Sequence, residues 1–117
     1  MRGLLIYSTE SLSGSVLANL LQRKQYDTLL CYDMTELLEK IRFGTSSIII
    51  LDLSSLSSMK MIIQEIESII SEKMPIILLT PYSNNEKELE EFIQKGYYIV
   101  EKPVNFDVLL SILEKFS

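Results

Sequence analysis

Three residues of different chemistry close three apolar segments of this chain. Asp52 ends IIILD, Thr80 ends IILLT, and Lys102 follows YYIVE and precedes Pro103. A carboxylate, a hydroxyl and an ammonium brought together could support phosphoryl transfer. The carboxylate would attack phosphorus, the ammonium would offset the developing negative charge, and the hydroxyl would bind an oxygen of the product. Each taken singly is an ordinary polar residue at a strand end. The three together, in this order and spacing, point to a site. The chain has no histidine, so neither histidine-based catalysis nor an imidazole metal site is available.

The elements that must position these residues alternate along the chain. LLIY (4–7), TLLCY (28–32), SIIIL (47–51), PIILL (75–79) and YYIV (97–100) are apolar without period-two alternation, the pattern of strands buried on both faces. Helical spacing lies between them. Leu12, Val16, Leu17, Leu20 and Leu21 form the first stripe. Asp33 and Glu36 make a capping box ahead of Leu37, Leu38 and Ile41. Met59, Ile62, Ile63, Ile66, Ile69 and Ile70 form the cleanest amphipathic face. Ser83 and Glu86 offer a second capping box before Leu89, Phe92 and Ile93, with Gly96 ending that helix. Asn105 caps a last helix carrying Leu109, Ile112, Leu113 and Phe116. Five βα units imply a doubly wound parallel sheet with helices on both faces, in one domain spanning residues 1–117. Ligands of such sheets bind beyond the carboxyl ends of the strands. Asp52, Thr80 and Lys102 all lie there, with Ser8, Thr9 and Glu10 after the first strand and Asp33 after the second.

Composition narrows the classes of function. The 117 residues carry a net charge of −5, which argues against nucleic-acid binding by this domain. No apolar run approaches the roughly 20 residues that cross a bilayer, and LLIY is too short for a signal peptide. Cys31, the single cysteine, sits in an apolar run and reads as a core thiol, which fits a reducing, cytoplasmic setting.

LLIYS, SIIILDL, PIILLTPYS and YIVEKP, followed by a helix, resemble the receiver domain of two-component response regulators along the whole chain. The resemblance implies a flavodoxin-like (βα)5 fold with strand order 2-1-3-4-5 and a cis bond before Pro103. It implies Asp52 at the phosphoacceptor position, Thr80 as the switch hydroxyl and Lys102 as the lysine that contacts the phosphoryl group. It also implies a signalling domain rather than an enzyme, with a kinase or an output protein as partner. The fourth helix, fifth strand and fifth helix, with Tyr97, Tyr98 and Glu91, would form the partner or homodimer surface. The 117 residues hold no output domain; a complete chain would act through another protein, and an excised domain through the part that is missing.

The sequence also departs from that family. Receivers hold Mg²⁺ with two acidic residues after the first strand. Here Ser8 and Thr9 stand in that register, and Glu10 falls one position late. Asp52 with Glu10 is a weak donor set for Mg²⁺, which favours carboxylates and dehydrates reluctantly. Pro81 follows Thr80, where a backbone N–H usually meets the phosphoryl group, and proline has none. The loop LSSLSSM lacks the usual proline and glycine, and Ile99 holds the place of the switch aromatic. These departures predict an interaction module with weak or absent phosphorylation and an Asp52–Lys102 ion pair. One alternative is a conventional Mg²⁺-dependent phosphoacceptor. Another is a flavodoxin-like binder of flavin or phosphate through the hydroxyl-rich Ser8–Ser15 loop, whose backbone N–H groups would meet the phosphate. Otherwise those hydroxyls serve as caps of the first helix.

Overall fold

A computed structural model describes residues 3–44, 47–54, 56–70, 74–81 and 86–116. Its elements run β1 (Gly3–Ser8), α1 (Ser11–Arg23), β2 (Asp27–Cys31), α2 (Met34–Phe43), β3 (Ile48–Asp52), α3 (Leu56–Ile69), β4 (Ile76–Thr80), α4 (Glu86–Gln94), β5 (Tyr98–Glu101) and α5 (Phe106–Glu114). The strands form one sheet of order β2-β1-β3-β4-β5, all parallel. This is the order expected from the sequence. β3 and β4 end one residue later than the apolar runs suggest, so Asp52 and Thr80 are themselves the last residues of their strands.

Alternation along each strand sends side chains to two separate cores. Leu5, Tyr7, Ile49, Leu51, Ile76 and Leu78 meet α2, α3 and α4 on one face. Leu4, Ile6, Ile48, Ile50, Ile77 and Leu79 meet α1 and α5 on the other. Each fully buried aliphatic side chain contributes roughly 1.5–3 kcal/mol relative to exposure. The inner strands β1, β3 and β4 are almost wholly buried. The outer strands differ from expectation: β2 and β5 each leave residues partly or fully exposed, because an edge strand has a neighbour on one side only.

The helix faces follow the sequence except on α1 and at Ile93 of α4, which is exposed. Met59, Ile62, Ile63 and Ile66 are buried on α3, Leu89 and Phe92 on α4, and Leu109 and Leu113 on α5. On α1 the apolar residues Leu17, Ala18 and Leu21 are buried, while Leu12, Val16 and Leu20 face outward. Asp33 accepts the Glu36 N–H at 2.8 Å. The Glu36 carboxylate lies close enough to the Cys31 thiol to raise its pKa. Asn105 caps α5 by accepting from the Asp107 and Val108 N–H groups at 3.0 and 3.3 Å. Gly96 sits at φ 90°, the left-handed turn that follows α4. The Ser83–Glu86 capping box lies outside the described residues.

Candidate functional site at the carboxyl edge of the sheet

Parallel register brings the site together. Ser8 lies beside Asp52 across β1 and β3, Asp52 beside Leu79 across β3 and β4, and Thr80 beside Glu101 across β4 and β5. Lys102 continues the ladder, its N–H donating to the Thr80 carbonyl at 2.7 Å. The Lys102–Pro103 bond is cis, as the resemblance implies.

Asp52 is 3% exposed, and both of its oxygens have partners. The Lys102 Nζ stands 2.5 Å from Oδ1 and also donates to the Leu53 carbonyl at 3.2 Å. Among the described residues Oδ1 accepts no directed hydrogen bond, and the lysine charge compensates it. Oδ2 receives two hydroxyls, Ser8 Oγ at 3.0 Å and Ser13 Oγ at 3.0 Å. Ser8 Oγ also lies 2.9 Å from the Glu10 carbonyl and accepts the Glu10 N–H at 3.2 Å. With a single proton it donates to one acceptor at a time. Hydrogen bonds to a carboxylate are stronger than neutral ones, so the buried Asp52 charge is well compensated.

The participation of Ser13 was not foreseen from the sequence. Expected as caps of α1, these hydroxyls do something else: Glu10 takes the N-cap position without a side-chain cap bond, and Ser8 and Ser13 turn to Asp52. Gly14 makes this possible. A Cβ there would lie 2.8 Å from the Ser8 Cβ and 3.2 Å from Leu30 Cδ1. Only a residue without a side chain lets the first turn of α1 come close enough for Ser13 to reach β3. The signal was present in the sequence as a glycine inside an otherwise helical pattern.

The same contacts weigh against a phosphate loop at Ser8–Ser15. Two of its hydroxyls are held by a carboxylate, and that carboxylate would repel a phosphate. Glu10 is exposed, and among the described residues its carboxylate forms no ion pair. Among the described residues no group of three or more His, Cys, Asp or Glu could hold a metal ion. One carboxylate already bonded to two hydroxyls and a lysine is a poor fit for Mg²⁺.

Thr80 is fully buried and its Oγ1 has no hydrogen-bond partner among the described residues. Ile76 and Leu78, which share its side of β4, pack toward α3 and α4, whereas Asp52 and Leu79 line the groove beside α1. The structure thus joins Asp52 to Lys102 but does not join Thr80 to either side chain. Tyr97 and Tyr98 alternate across the sheet. Tyr97 packs with the α3 side, and burial followed by the Glu67 charge and hydrogen bond pushes its phenol up to about 12. Tyr98 packs edge-on against Phe116 at 5.4 Å, with Lys115 over its ring. Glu91 pairs with Lys60 of α3 at 3.5 Å. Tyr97 and Tyr98 thus pack on opposite faces of the sheet.

The sequence profile described as the response regulator receiver domain matches residues 4–114. The chain belongs to this family. Among solved structures, a response regulator receiver protein from Pseudomonas putida is similar with a TM-score of 0.80 at 18% identity, covering 97% of this chain and 96% of that one. A CheY-like receiver domain from Methylobacillus flagellatus gives 0.80 at 15% identity, covering 100% and 99%. A two-component response regulator from Clostridium difficile gives 0.79 at 20%, covering 98% and 94%. No curated protein sequence matches the chain. In this receiver domain Asp52, Thr80 and Lys102 stand at the strand ends, with serines at the acidic corner.

Proposed function

We propose that this receiver domain works in two-component signalling as a protein–protein interaction module whose phosphorylation at Asp52 is weak or absent. One observation carries this: the Asp52 carboxylate is held by Ser8, Ser13 and Lys102 at a corner that contributes hydroxyls where receivers carry carboxylates. Phosphorylation would require an Asp52 oxygen to form a bond to phosphorus while the donor's bond to phosphorus breaks. To attack, that oxygen must leave its hydroxyls or its lysine, and the three incoming phosphoryl oxygens must find positive charge. Lys102 is present for this, Pro81 offers no N–H, and weak Mg²⁺ binding by Asp52 and Glu10 supplies little.

The partner is a protein, a kinase or an output protein, met through the α4–β5–α5 side where Tyr98, Phe116 and Lys115 gather. Among the described residues no helix is long and apolar enough to cross a membrane. A cytoplasmic setting, in which the buried Cys31 stays a thiol, belongs to the same proposal.

The conventional reading has a specific support in the Thr80 hydroxyl, a buried donor without a partner among the described residues. Mass spectrometry after incubation with Mg²⁺ and a small phosphodonor separates the two. The unmodified mass is expected. A stoichiometric phosphoryl adduct, lost in Asp52→Asn, would overturn the proposal.

A further inference from the structure

The first helix carries a surface that the Asp52 site does not use. Leu12, Val16 and Leu20, each four residues apart and therefore on one face, are 79%, 51% and 37% exposed. Three outward aliphatic residues in line on one helix form a contiguous patch rather than scattered exposure. This ridge forms one wall of a groove of about 470 Å³, and Pro103, Val104 and Phe106 form the other.

Charge along α1 is distributed unusually. From Ser11 to Gln22 the helix has no charged residue, in a chain whose net charge is −5. The neutral stretch is bounded by Glu10 at its amino end and by Arg23 and Lys24 at its carboxyl end. Arg23 lies three residues past Leu20, on the same face as the ridge. The pattern is centred on residue 16. Two such helices laid antiparallel about a two-fold axis place Val16 against Val16 and Leu12 against Leu20. The same arrangement sets Glu10 against Gln22 of the other copy, one residue from Arg23 and within reach of its long side chain. The ridge of each copy then meets the groove of the other, the self-complementarity that an isologous contact requires. The antiparallel helix dipoles favour it as well.

We infer that this face is the contact between two copies of the chain, an antiparallel α1–α1 pair seated in the grooves beside α5. Asp52 and Lys102 line the end of the same groove, so the contact covers the mouth of the site. The inference holds whether or not Asp52 is ever phosphorylated, and its test does not involve phosphate.

Sedimentation equilibrium of the full chain, from micromolar to millimolar concentration, reads the contact. The wild type is expected to dimerise. Val16→Asp, which faces itself across the axis, is expected to weaken dimerisation by roughly tenfold or more. Arg23→Glu weakens it too, and Glu10→Arg combined with Arg23→Glu restores it. These positions are exposed, and thermal melts followed by circular dichroism check that each variant is folded. In Val16→Cys the new thiols are expected to form a dimeric disulfide under mild oxidation, since Cys31 is fully buried. A wild type that stays monomeric overturns the inference. So does a dimer indifferent to Val16→Asp, or one abolished by Tyr98→Ala alone. A chain that is monomeric by itself but binds a different protein through Val16 overturns it as well.

Discussion

The Ser13 hydroxyl of α1 donates to Asp52 Oδ2 of β3 at 3.0 Å, across a gap of 39 residues in sequence. With Ser8 it gives one carboxylate oxygen two donors, while Lys102 compensates the other. At this corner two hydroxyls and an ammonium gather around a single carboxylate.

Rebuilding the acidic corner tests that arrangement. In Ser8→Asp with Thr9→Asp, two carboxylates face each other across the β1–β3 register. Without divalent metal the variant is expected to lose about 1–3 kcal/mol, because a buried like-charge pair replaces a hydrogen bond. Adding Mg²⁺ recovers that loss by mass action and raises the thermal midpoint. The wild type is expected to shift little under the same titration. An equal Mg²⁺ response in both would show that the serines do not limit metal binding.

Removing the lysine should cost more than removing the charge it pairs with. Lys102→Ala leaves the buried Asp52 Oδ1 without compensation, an expected loss of about 2–4 kcal/mol, at the lower end because the Lys102 side chain is 26% exposed. Asp52→Asn retains an acceptor for Ser8 and Ser13 and removes the need for the lysine, so its expected loss is about 1 kcal/mol. Urea denaturation of both variants and of the double variant gives the coupling. Equal single losses with no coupling would refute the ion pair.

Gly14→Ala separates packing from helix propensity. Alanine is better than glycine in a helix interior by ~1 kcal/mol. Here its Cβ would fall 2.8 Å from the Ser8 Cβ. We expect net destabilisation of roughly 1–3 kcal/mol. The Ser13 and Asp52 signals in NMR spectra should move together. A stabilised variant would mean that α1 can shift without loss.

Alkaline pH should unfold the domain earlier than its charge alone suggests. Burial, and then the Glu36 charge and hydrogen bond, push the Cys31 thiol from 9.0 up to about 12. The unfolded chain therefore releases this proton first, and the folded state is the more protonated between those limits. Stability from this group is intact below pH 9 and declines as pH rises toward 12. The slope for a fully buried thiol is at most ~1.4 kcal/mol per pH unit. Tyr97, raised from 10.0 to about 12, adds a decline in the same direction. Thermal melts across that range should steepen in the wild type and flatten in Cys31→Ala.

Local residue types alone determined the five strands, the five helices and the placing of Asp52, Thr80 and Lys102 at strand ends. Apolar runs and 3.6-residue stripes are local signals, and a parallel sheet must present those ends on one edge. The absence of acidic residues at Ser8 and Thr9 was legible for the same reason. What the hydroxyls do was not. Whether Ser13 caps its own helix or crosses to Asp52 depends on how closely α1 approaches β1, which Gly14 sets through contacts with Ser8 and Leu30. Tyr97 and Tyr98 parted for a similar reason, since neighbouring residues of a strand face opposite sides of the sheet. In the stripe of α1, Leu17 and Leu21 are buried while Leu12, Val16 and Leu20 face out. Hydrophobicity reports which residues avoid water, but only the packing of α1 against β1 and β2 decides which of them the chain itself can cover.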